Sequence, residues 1–521
     1  RWAETRWAMK QTRADAAGIF GGASGTILLV LIVAALCAAS AAVTVVALGP
    51  RLGARAVSGD GVYFALTASR LCRGEGFSTP RIYPYELNFV KDIRYFPDLS
   101  TPPLFSMALG VFFRILGTGS VSIWVCNTLL LIGTSVAVFL MARETFGRGA
   151  AMLAAIMCAT NPAMLAAVIE GSNSVLLAFL FICILYVVFR YRMDAHWANA
   201  LAGGLAALCY LTQYSFWSLI IPLAVFSAVL NRGDLKKALP ALLCGFFLVA
   251  APWWARNISA AGNPFFCLRP YKEAYLRAIS PGPLPGGWLF LSHRFRTMNA
   301  NLPRLLTMYG NIVVLLFVPA IFWKAEDARF RTARNLAYLT AAAVVVFVAS
   351  GMQDWDYAFL PFLPFILLAV AGYVFHLCAA CAMNSVRSIC AVAGTLILLN
   401  ASSMSRSGVS VINMPTPIAG ILSKLPQDRV VVTDDGFSMS WFCGRRSIEL
   451  PDTVEDFVRI SRMFGGKVAL CFSPDFADET EGNPQFRNWG QVMSACVRGY
   501  LPPEPGMRHG MDLNGQGFLL Y

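Results

Sequence analysis

Charge is scarce in this chain: Asp, Glu, Lys and Arg make up 14% of its 521 residues, whereas 57% are hydrophobic. So few charges cannot clothe a soluble surface of this size, and a mean hydropathy of +0.58 leaves the bilayer as the solvent. Histidine is scarcer still. Its four copies show no zinc or haem spacing, and no Walker-type glycine loop argues for direct use of a nucleotide. Acids are outnumbered, 29 against 42 Lys and Arg. The basic residues stand in clusters between apolar runs instead of in one stripe, which argues against a nucleic-acid partner and for orientation in a membrane. Most of the 14 cysteines lie inside apolar runs, where Cys is a small apolar residue. Three, Cys443, Cys471 and Cys496, share a soluble segment and allow one disulfide, whose pair the spacing cannot choose. Cys378 and Cys381 form a CAAC that reads as packing.

What is abundant is apolar sequence. The first run, Thr26 to Gly49, is long enough to cross the ~30 Å hydrocarbon core as a helix and follows Arg1, Arg6, Lys10 and Arg13, which places the N-terminal segment 1–25 in the cytoplasm. The run is long for a signal peptide and reads as a retained span. Further runs at 119–141, 149–168, 173–189, 197–213, 215–230, 238–254, 310–323, 334–350, 357–377 and 388–404 bring the expectation to about eleven transmembrane helices. The inner loops then carry Arg143 and Arg148, Arg190 and Arg192, Arg232, Lys236 and Lys237, Lys324 to Arg334, and Arg387. The short outer turns near Gly171, Tyr214 and Gln353 carry no Lys or Arg, as the positive-inside rule requires.

Two outer segments are long, Pro50 to about Thr118 and Arg256 to about Tyr309, and loops of that size are usually functional. The segment 415–521 has a soluble composition and falls on the same outer side. In it RVVVTDD (429–435) reads as a strand, TVEDFVRISRMFG (453–465) as an amphipathic helix and KVALCFS (467–473) as a second strand, a β-α-β order. The expected fold is therefore an all-α polytopic membrane protein over 26–414, with a long first outer loop and a small C-terminal α/β extracytoplasmic domain.

Polar candidates gather on the outer face. Asp60, in GDGVYF just after the first span, is a carboxylate held at a membrane face, and its alternative is an N-cap for the helix that follows. Glu170 and Asn173 flank the turn after the third span, where Glu170 would otherwise cap the following helix. Gln213 and Tyr214 end the fifth span. Arg256 and Asn257 end the seventh, where Arg256 after Pro252, Trp253 and Trp254 also reads as a snorkelling anchor. Asp354 and Asp356 precede the tenth and also suit a solvated turn. Asp434 and Asp435, at a strand end without a His or Glu at ligand spacing, read as turn residues.

At these residues a resemblance emerges. SGDGVYFALTASRLCRGEGFSTP (58–80) and STPPLFSMALGVFFRILG (100–117) resemble the first outer loop of the glycosyltransferase C superfamily, in the branch of protein O-mannosyltransferases, lipid A aminoarabinose transferases and rhizobial lipopolysaccharide transferases. PWWARNISAAGNPFF (252–266) is similar to the family's Pro-Trp, Arg-Asn, Gly-Asn-Pro pattern. LAALCYLTQYSFWSLIIP (205–222), FLPFLP (359–364) and GRRSIELP (444–451) fit its later landmarks. The resemblance implies transfer of a sugar from a polyprenyl-phosphate donor to an extracytoplasmic lipid, glycan or protein acceptor, in a bacterial inner membrane. By it Asp60 is the base, Arg256 a phosphate-binding cation, and Asn257, Glu170, Asn173, Tyr214 and Tyr357 substrate-binding residues.

The chain departs from the family at three places. Gly61 follows Asp60 where a Glu is common, Asn173 stands where a second acid is frequent, and Tyr357 stands where an Arg is frequent. These departures weaken the case for a divalent metal. They also keep open a non-catalytic scaffold of the same fold. A lipid-linked substrate transporter is the third alternative, against which stands the lack of intramembrane charge pairs and of an internal repeat.

Overall fold

The computed structural model describes residues 23–52, 59–88, 95–191, 195–230, 235–265, 311–323, 327–349, 359–381, 428–451, 453–472, 510–512 and 518–520, with isolated positions at 391, 394, 395, 426 and 489. Its helices are α1 (Ala23–Leu52), α2 (Gly59–Cys72), α3 (Pro103–Leu116), α4 (Ser120–Phe146), α5 (Arg148–Ala159), α6 (Pro162–Glu170), α7 (Ser174–Tyr191), α8 (His196–Thr212), α9 (Ile220–Leu230), α10 (Leu235–Ala261), α11 (Asn311–Phe322), α12 (Ala328–Ala349), α13 (Leu363–Ala380), α14 (Gly436–Cys443) and α15 (Val454–Met463). Strands are β1 (Arg81–Ile82), β2 (Val430–Thr433), β3 (Ser447–Glu449), β4 (Val468–Phe472), β5 (Gly510–Asp512) and β6 (Phe518–Leu520). The chain divides into two compact units. The first comprises Arg1–Arg51, Ile123–Pro252 and Leu291–Ser410, and the second Leu52–Ser122, Trp253–Phe290 and Val411–Tyr521.

The first unit is a helical membrane bundle. Among the described residues five helices are long and apolar enough to cross a bilayer, six if α5 and α6, bent by 43° at their junction, count as one span. Eleven crossings were expected. Helices do stand at ten of the eleven expected positions, and the run at 388–404 lies almost wholly outside the described residues. As described, α8, α9 and α11 are 17 residues or shorter. The bend between α5 and α6 falls at Asn161–Pro162, where the Pro nitrogen has no hydrogen to donate and the Asn161 side chain caps α6 by accepting from the backbone of Ala163 and Met164.

Packing in this unit is set by small residues and one buried helix. Helix α7 is apolar on nearly every face, with Leu177, Phe181, Ile184, Leu185 and Val188 enclosed by the bundle. On α1 the stripe Val33, Cys37, Ala41 and Thr44 is buried, while Ile27, Leu31, Val43 and Val46 are exposed, as suits a lipid-facing helix. Gly203 on α8 and Gly245 on α10 bring two backbones into contact. A Cβ at Gly203 would lie 1.9 Å from the Leu242 carbonyl oxygen, and one at Gly245 2.0 Å from that of Ala200.

The second unit builds a six-stranded sheet in the order β1-β3-β2-β4-β6-β5, in which β1, β3, β2 and β4 run parallel and β6 and β5 are antiparallel additions. The two strands and the helix expected at 429–473 appear as β2, α15 and β4. Between them the chain forms a second crossover, α14 followed by β3, so the order is β-α-β-α-β. Helix α15 is amphipathic, capped by the Thr453 hydroxyl, which accepts from the Asp456 N–H at 3.1 Å. Its Phe457 and Ile460 join Val430, Val432, Ile448, Leu470, Phe472 and Trp489 in one core.

That core does not belong to the C-terminal segment alone. The first outer loop supplies β1, whose Arg81 and Ile82 stand opposite Ser447 and Ile448, together with the buried side chains of Ile82, Leu87 and Phe96. The same loop forms α2 and α3, which pack against each other through Phe64 and Phe105, with ring centroids 5.2 Å apart. Cys443 and Cys471 are free thiols, and Cys496 lies outside the described residues.

Candidate active site

Asp60 lies in the first turn of α2, which begins at Gly59. It is therefore inside the helix instead of preceding it as an N-cap, and an acid in a first turn is favoured by the helix dipole. The next turns of α2 are tied to the Ser-Thr-Pro-Pro stretch of the same loop. Asp98 accepts the Thr67 hydroxyl with one carboxylate oxygen, and with the other the N–H groups of Ser100 (3.2 Å) and Thr101 (2.8 Å), closing the turn from which α3 starts. The Ser106 hydroxyl donates to the Phe64 carbonyl at 3.2 Å.

Glu86 is enclosed in this loop. It accepts the Ser100 hydroxyl at 2.6 Å and the Tyr83 N–H at 3.1 Å, and burial pushes its pKa up to about 8, with those hydrogen bonds opposing. Tyr83 is likewise raised by burial, to about 12. Arg81 is buried among Glu449, Tyr83, Tyr63 and Phe437. Burial works against its charge, but the carboxylate and the two tyrosines more than offset this and hold it well protonated. None of Arg81, Glu86, Asp98 and Glu449 was singled out from sequence. They sit on no periodic pattern: Glu86 and Asp98 find their partners when the loop folds on itself, and Arg81 and Glu449 meet only where the loop joins a distant sheet.

Arg256 lies near the C-terminal end of α10. Its guanidinium donates to the Phe77 carbonyl (3.2 Å) and the Asn257 side-chain oxygen (3.3 Å), and lies 4.7 Å from the centre of the Trp253 ring and 5.4 Å from that of Phe77. Asn257 is buried and donates to the Pro264 carbonyl at 3.2 Å, so the Arg-Asn and Gly-Asn-Pro parts of the sequence pattern close onto each other. Asp60's helix, Arg256 and Asn257 all belong to the second unit.

Glu170, Asn173 and Tyr214 are gathered in the first unit. Glu170 is buried at the end of α6. Gly171 follows as a left-handed C-cap (φ 73°), a conformation that Gly adopts without the Cβ penalty, so Glu170 does not sit in the first turn of α7. Asn173 donates its amide to the Thr212 carbonyl at the end of α8, 2.7 Å away, and its own carbonyl accepts from Leu177 N–H at the start of α7. Gln213 follows, with a side-chain oxygen buried without a described partner, and then Tyr214, buried with its ring 5.3 Å from that of Tyr210. The turn is backed by α4, whose Trp124 donates to the Ile169 carbonyl (2.9 Å) and Asn127 to that of Ser172 (3.3 Å).

Tyr357, Asp354 and Asp356 lie outside the described residues. Asp434 and Asp435 occupy the turn from β2 into α14. The Asp435 N–H donates to the Thr433 hydroxyl at 3.2 Å and its carbonyl accepts from Met439, which is turn chemistry. Among the described residues no three His, Cys, Asp or Glu side chains stand close enough to hold a metal ion, and Asn173 has committed its amide to a backbone carbonyl. The described donors do not fit a metal.

The sequence matches the family described as dolichyl-phosphate-mannose-protein mannosyltransferase over residues 100–255. No curated protein sequence matches the chain. In fold it is similar to ArnT from Cupriavidus metallidurans bound to undecaprenyl phosphate, at 13% identity and a TM-score of 0.61, covering 96% of this chain and 98% of that one. It is also similar to the Archaeoglobus fulgidus oligosaccharyltransferase in complex with Zn and sulfate, at 12% identity and a TM-score of 0.60, covering 87% of this chain and 68% of that one. With a polytopic helical bundle, a loop folded into two packed helices and a C-terminal sheet, the chain shares the fold of these transferases along nearly its whole length, and residues 100–255 are similar in sequence to the mannosyltransferase family.

Proposed function

We propose that this protein transfers a sugar from a polyprenyl-phosphate-linked donor to an acceptor on the extracytoplasmic side of the membrane. The observation that carries the reading is the likeness of fold, over almost the full length of both chains, to ArnT from Cupriavidus metallidurans bound to undecaprenyl phosphate. The family match over residues 100–255, which takes in α3 to α10, supports it. In this reading the short apolar helices α8, α9 and α11, the charged-ended α12 and the run at 388–404 are further crossings, which brings the count to about eleven. The two long outer segments and residues 415–521 then lie outside.

The chemistry needs few groups. An acceptor hydroxyl oxygen attacks the anomeric carbon while the bond from that carbon to the phosphate oxygen breaks. Polyprenyl phosphate departs with the bonding electrons and the hydroxyl proton passes to a base, inverting the anomeric centre. Asp60 is the base, a role suited to an acid in the first turn of a helix that follows an apolar run. Arg256 neutralises charge on the departing phosphate. Its fork is already oriented by Phe77 and Asn257, so little further ordering is needed on binding. Glu170, Asn173, Tyr214 and Tyr357 remain the further substrate-binding candidates that the resemblance implies.

The test is transfer from a panel of polyprenyl-phosphate sugars by purified full-length protein, wild type against Asp60→Asn. The Asn variant should keep its fold and its donor affinity and lose transfer by roughly 10² or more. Undiminished transfer would remove Asp60 from the mechanism.

A further inference from the structure

The Arg81 guanidinium joins three elements of the second unit. Its Nε donates to Glu449 Oε1 at 2.8 Å and its Nη2 reaches the same oxygen, which fixes β1 to β3. Nη1 donates to the Tyr83 hydroxyl at 2.8 Å. The flat face of the group lies 3.4 Å from the centre of the Phe437 ring, which belongs to the first turn of α14, and 5.7 Å from that of Tyr63 on α2. Phe437 and Tyr63 meet edge to face at 5.5 Å. Tyr63 lies three residues after Asp60, one helical turn along α2.

A continuous chain of contacts thus runs from Glu449 through Arg81 and Phe437 to Tyr63 and the turn that carries Asp60. The fit is close: a Cβ at Gly436 would stand 3.4 Å from both Arg81 Cγ and Glu449 Oε1. The hydrogen bonds that hold α2 to the rest of the first outer loop lie further along the helix, at Phe64 and Thr67. The ring contact of Tyr63 with Phe437 reaches the C-terminal segment.

Resting on the reading of Asp60 as the base, we propose that Arg81, locked by Glu449, is a positioning residue that sets the first turn of α2 for the reaction. The C-terminal sheet is then part of the framework of the active site. A planar fork is needed for this, because it stacks on Phe437 while its edge serves Glu449 and Tyr83. A lysine keeps the charge and loses both geometries. The persistent charge of Arg81 against Glu449 supports the assignment.

The experiment uses the full chain in lipid nanodiscs. Hydrogen exchange is followed at the amides of residues 63–67, whose bonds close the first turns of α2, with the amides of β2 and β4 as internal references. Wild type is compared with Arg81→Lys, Glu449→Gln and the milder Phe437→Leu. Lys467→Gln serves as control, since Lys467 pairs with Asp428 on the surface of the same sheet, 2.8 Å away. Exchange at 63–67 should quicken roughly tenfold in the Lys and Gln variants while β2, β4 and the control stay unchanged. Transfer should lose kcat with little change in KM for the lipid donor.

Unchanged protection at 63–67 would overturn the proposal. So would loss of strand and helix protection together in all three variants, for Arg81 would then only hold the sheet together. The two readings fail separately. Transfer that survives Asp60→Asn removes the base and leaves the exchange result standing, whereas unchanged exchange in Arg81→Lys removes the positioning role and leaves the base.

Discussion

The side-chain amide of Asn257 donates to the carbonyl of Pro264, 3.2 Å away, and its side-chain oxygen accepts from Arg256 at 3.3 Å. This pair of bonds explains the spacing of the motif: Gly262, Asn263 and Pro264 turn the chain back so that one asparagine secures the turn and orients the arginine. Asn263 helps by accepting the Phe265 N–H at 2.9 Å.

Arg256→Lys is therefore a demanding substitution. An ammonium cannot serve Asn257 and the Phe77 carbonyl from one plane and still present a two-pronged face to phosphate. Transfer should fall by roughly 10- to 100-fold, with the fold intact by thermal melting. Full activity in the Lys variant would return Arg256 to the role of a membrane anchor.

Asn173→Asp tests whether the acid common in the family could stand here. The native amide donates to the Thr212 carbonyl, and a carboxylate in its place has no hydrogen to give and faces an oxygen at 2.7 Å. The variant should lose about 1–3 kcal/mol of stability. Thermal unfolding of the full chain in detergent reads this, and a melting temperature equal to wild type would show that the turn tolerates an acid.

Glu86 makes stability depend on pH in a stated direction. Its pKa is raised in the folded protein from 4.5 to about 8 by burial, so the folded state holds a proton that the unfolded state releases. Its contribution is fully present below pH ~4.5, declines as pH rises and is lost once pH passes ~8. Glu86→Gln keeps a neutral group that can still bond Ser100 and Tyr83. It should flatten the pH dependence of the melting temperature between those limits and raise stability at pH 8. A variant whose pH profile parallels that of wild type would show that Glu86 is ionised in the fold.

Gly203→Ala should be among the most damaging single-methyl changes in the bundle. The new Cβ would meet the Leu242 carbonyl oxygen at 1.9 Å, and backbone cannot swing aside as a side chain can. Forcing α8 and α10 apart should cost on the order of 1–3 kcal/mol or more and lower the yield of folded protein. Gly394→Ala is the control, since among the described residues nothing lies within 4 Å of its Cβ position. Equal melting temperatures for the two variants would count against the close crossing.

Much of the architecture was legible because its signals are local. An apolar run needs only its own residues to satisfy backbone hydrogen bonds in lipid, so α1, α4, α7, α10 and α13 are visible in composition. The number of crossings was less legible. The runs that became α8, α9 and α11 fall short of a full span, and whether a short helix crosses is decided by its neighbours. In the soluble segment β2, β4 and α15 carried the period of a buried strand or an amphipathic helix, whereas three-residue β3 and eight-residue α14 are too short to show one.

For the site, residue type and place in the sequence were enough to single out Asp60, Arg256 and Asn257, because a charge or amide just outside an apolar run stands apart from its surroundings. Their settings came only with the tertiary structure. Nothing local says that the two residues Arg81 and Ile82 form an edge strand, or that Arg81 pairs with Glu449, 368 positions away. Such partnerships depend on sheet register and loop closure, which are properties of the whole chain. The sequence by itself determined that the bilayer is the solvent and where the long apolar segments lie, and it singled out the polar residues that end them. Only the folded chain decided that the first outer loop and the C-terminal segment share one core, since Ile82 and Phe96 from the one and Ile448 and Trp489 from the other meet through strand register and loop closure.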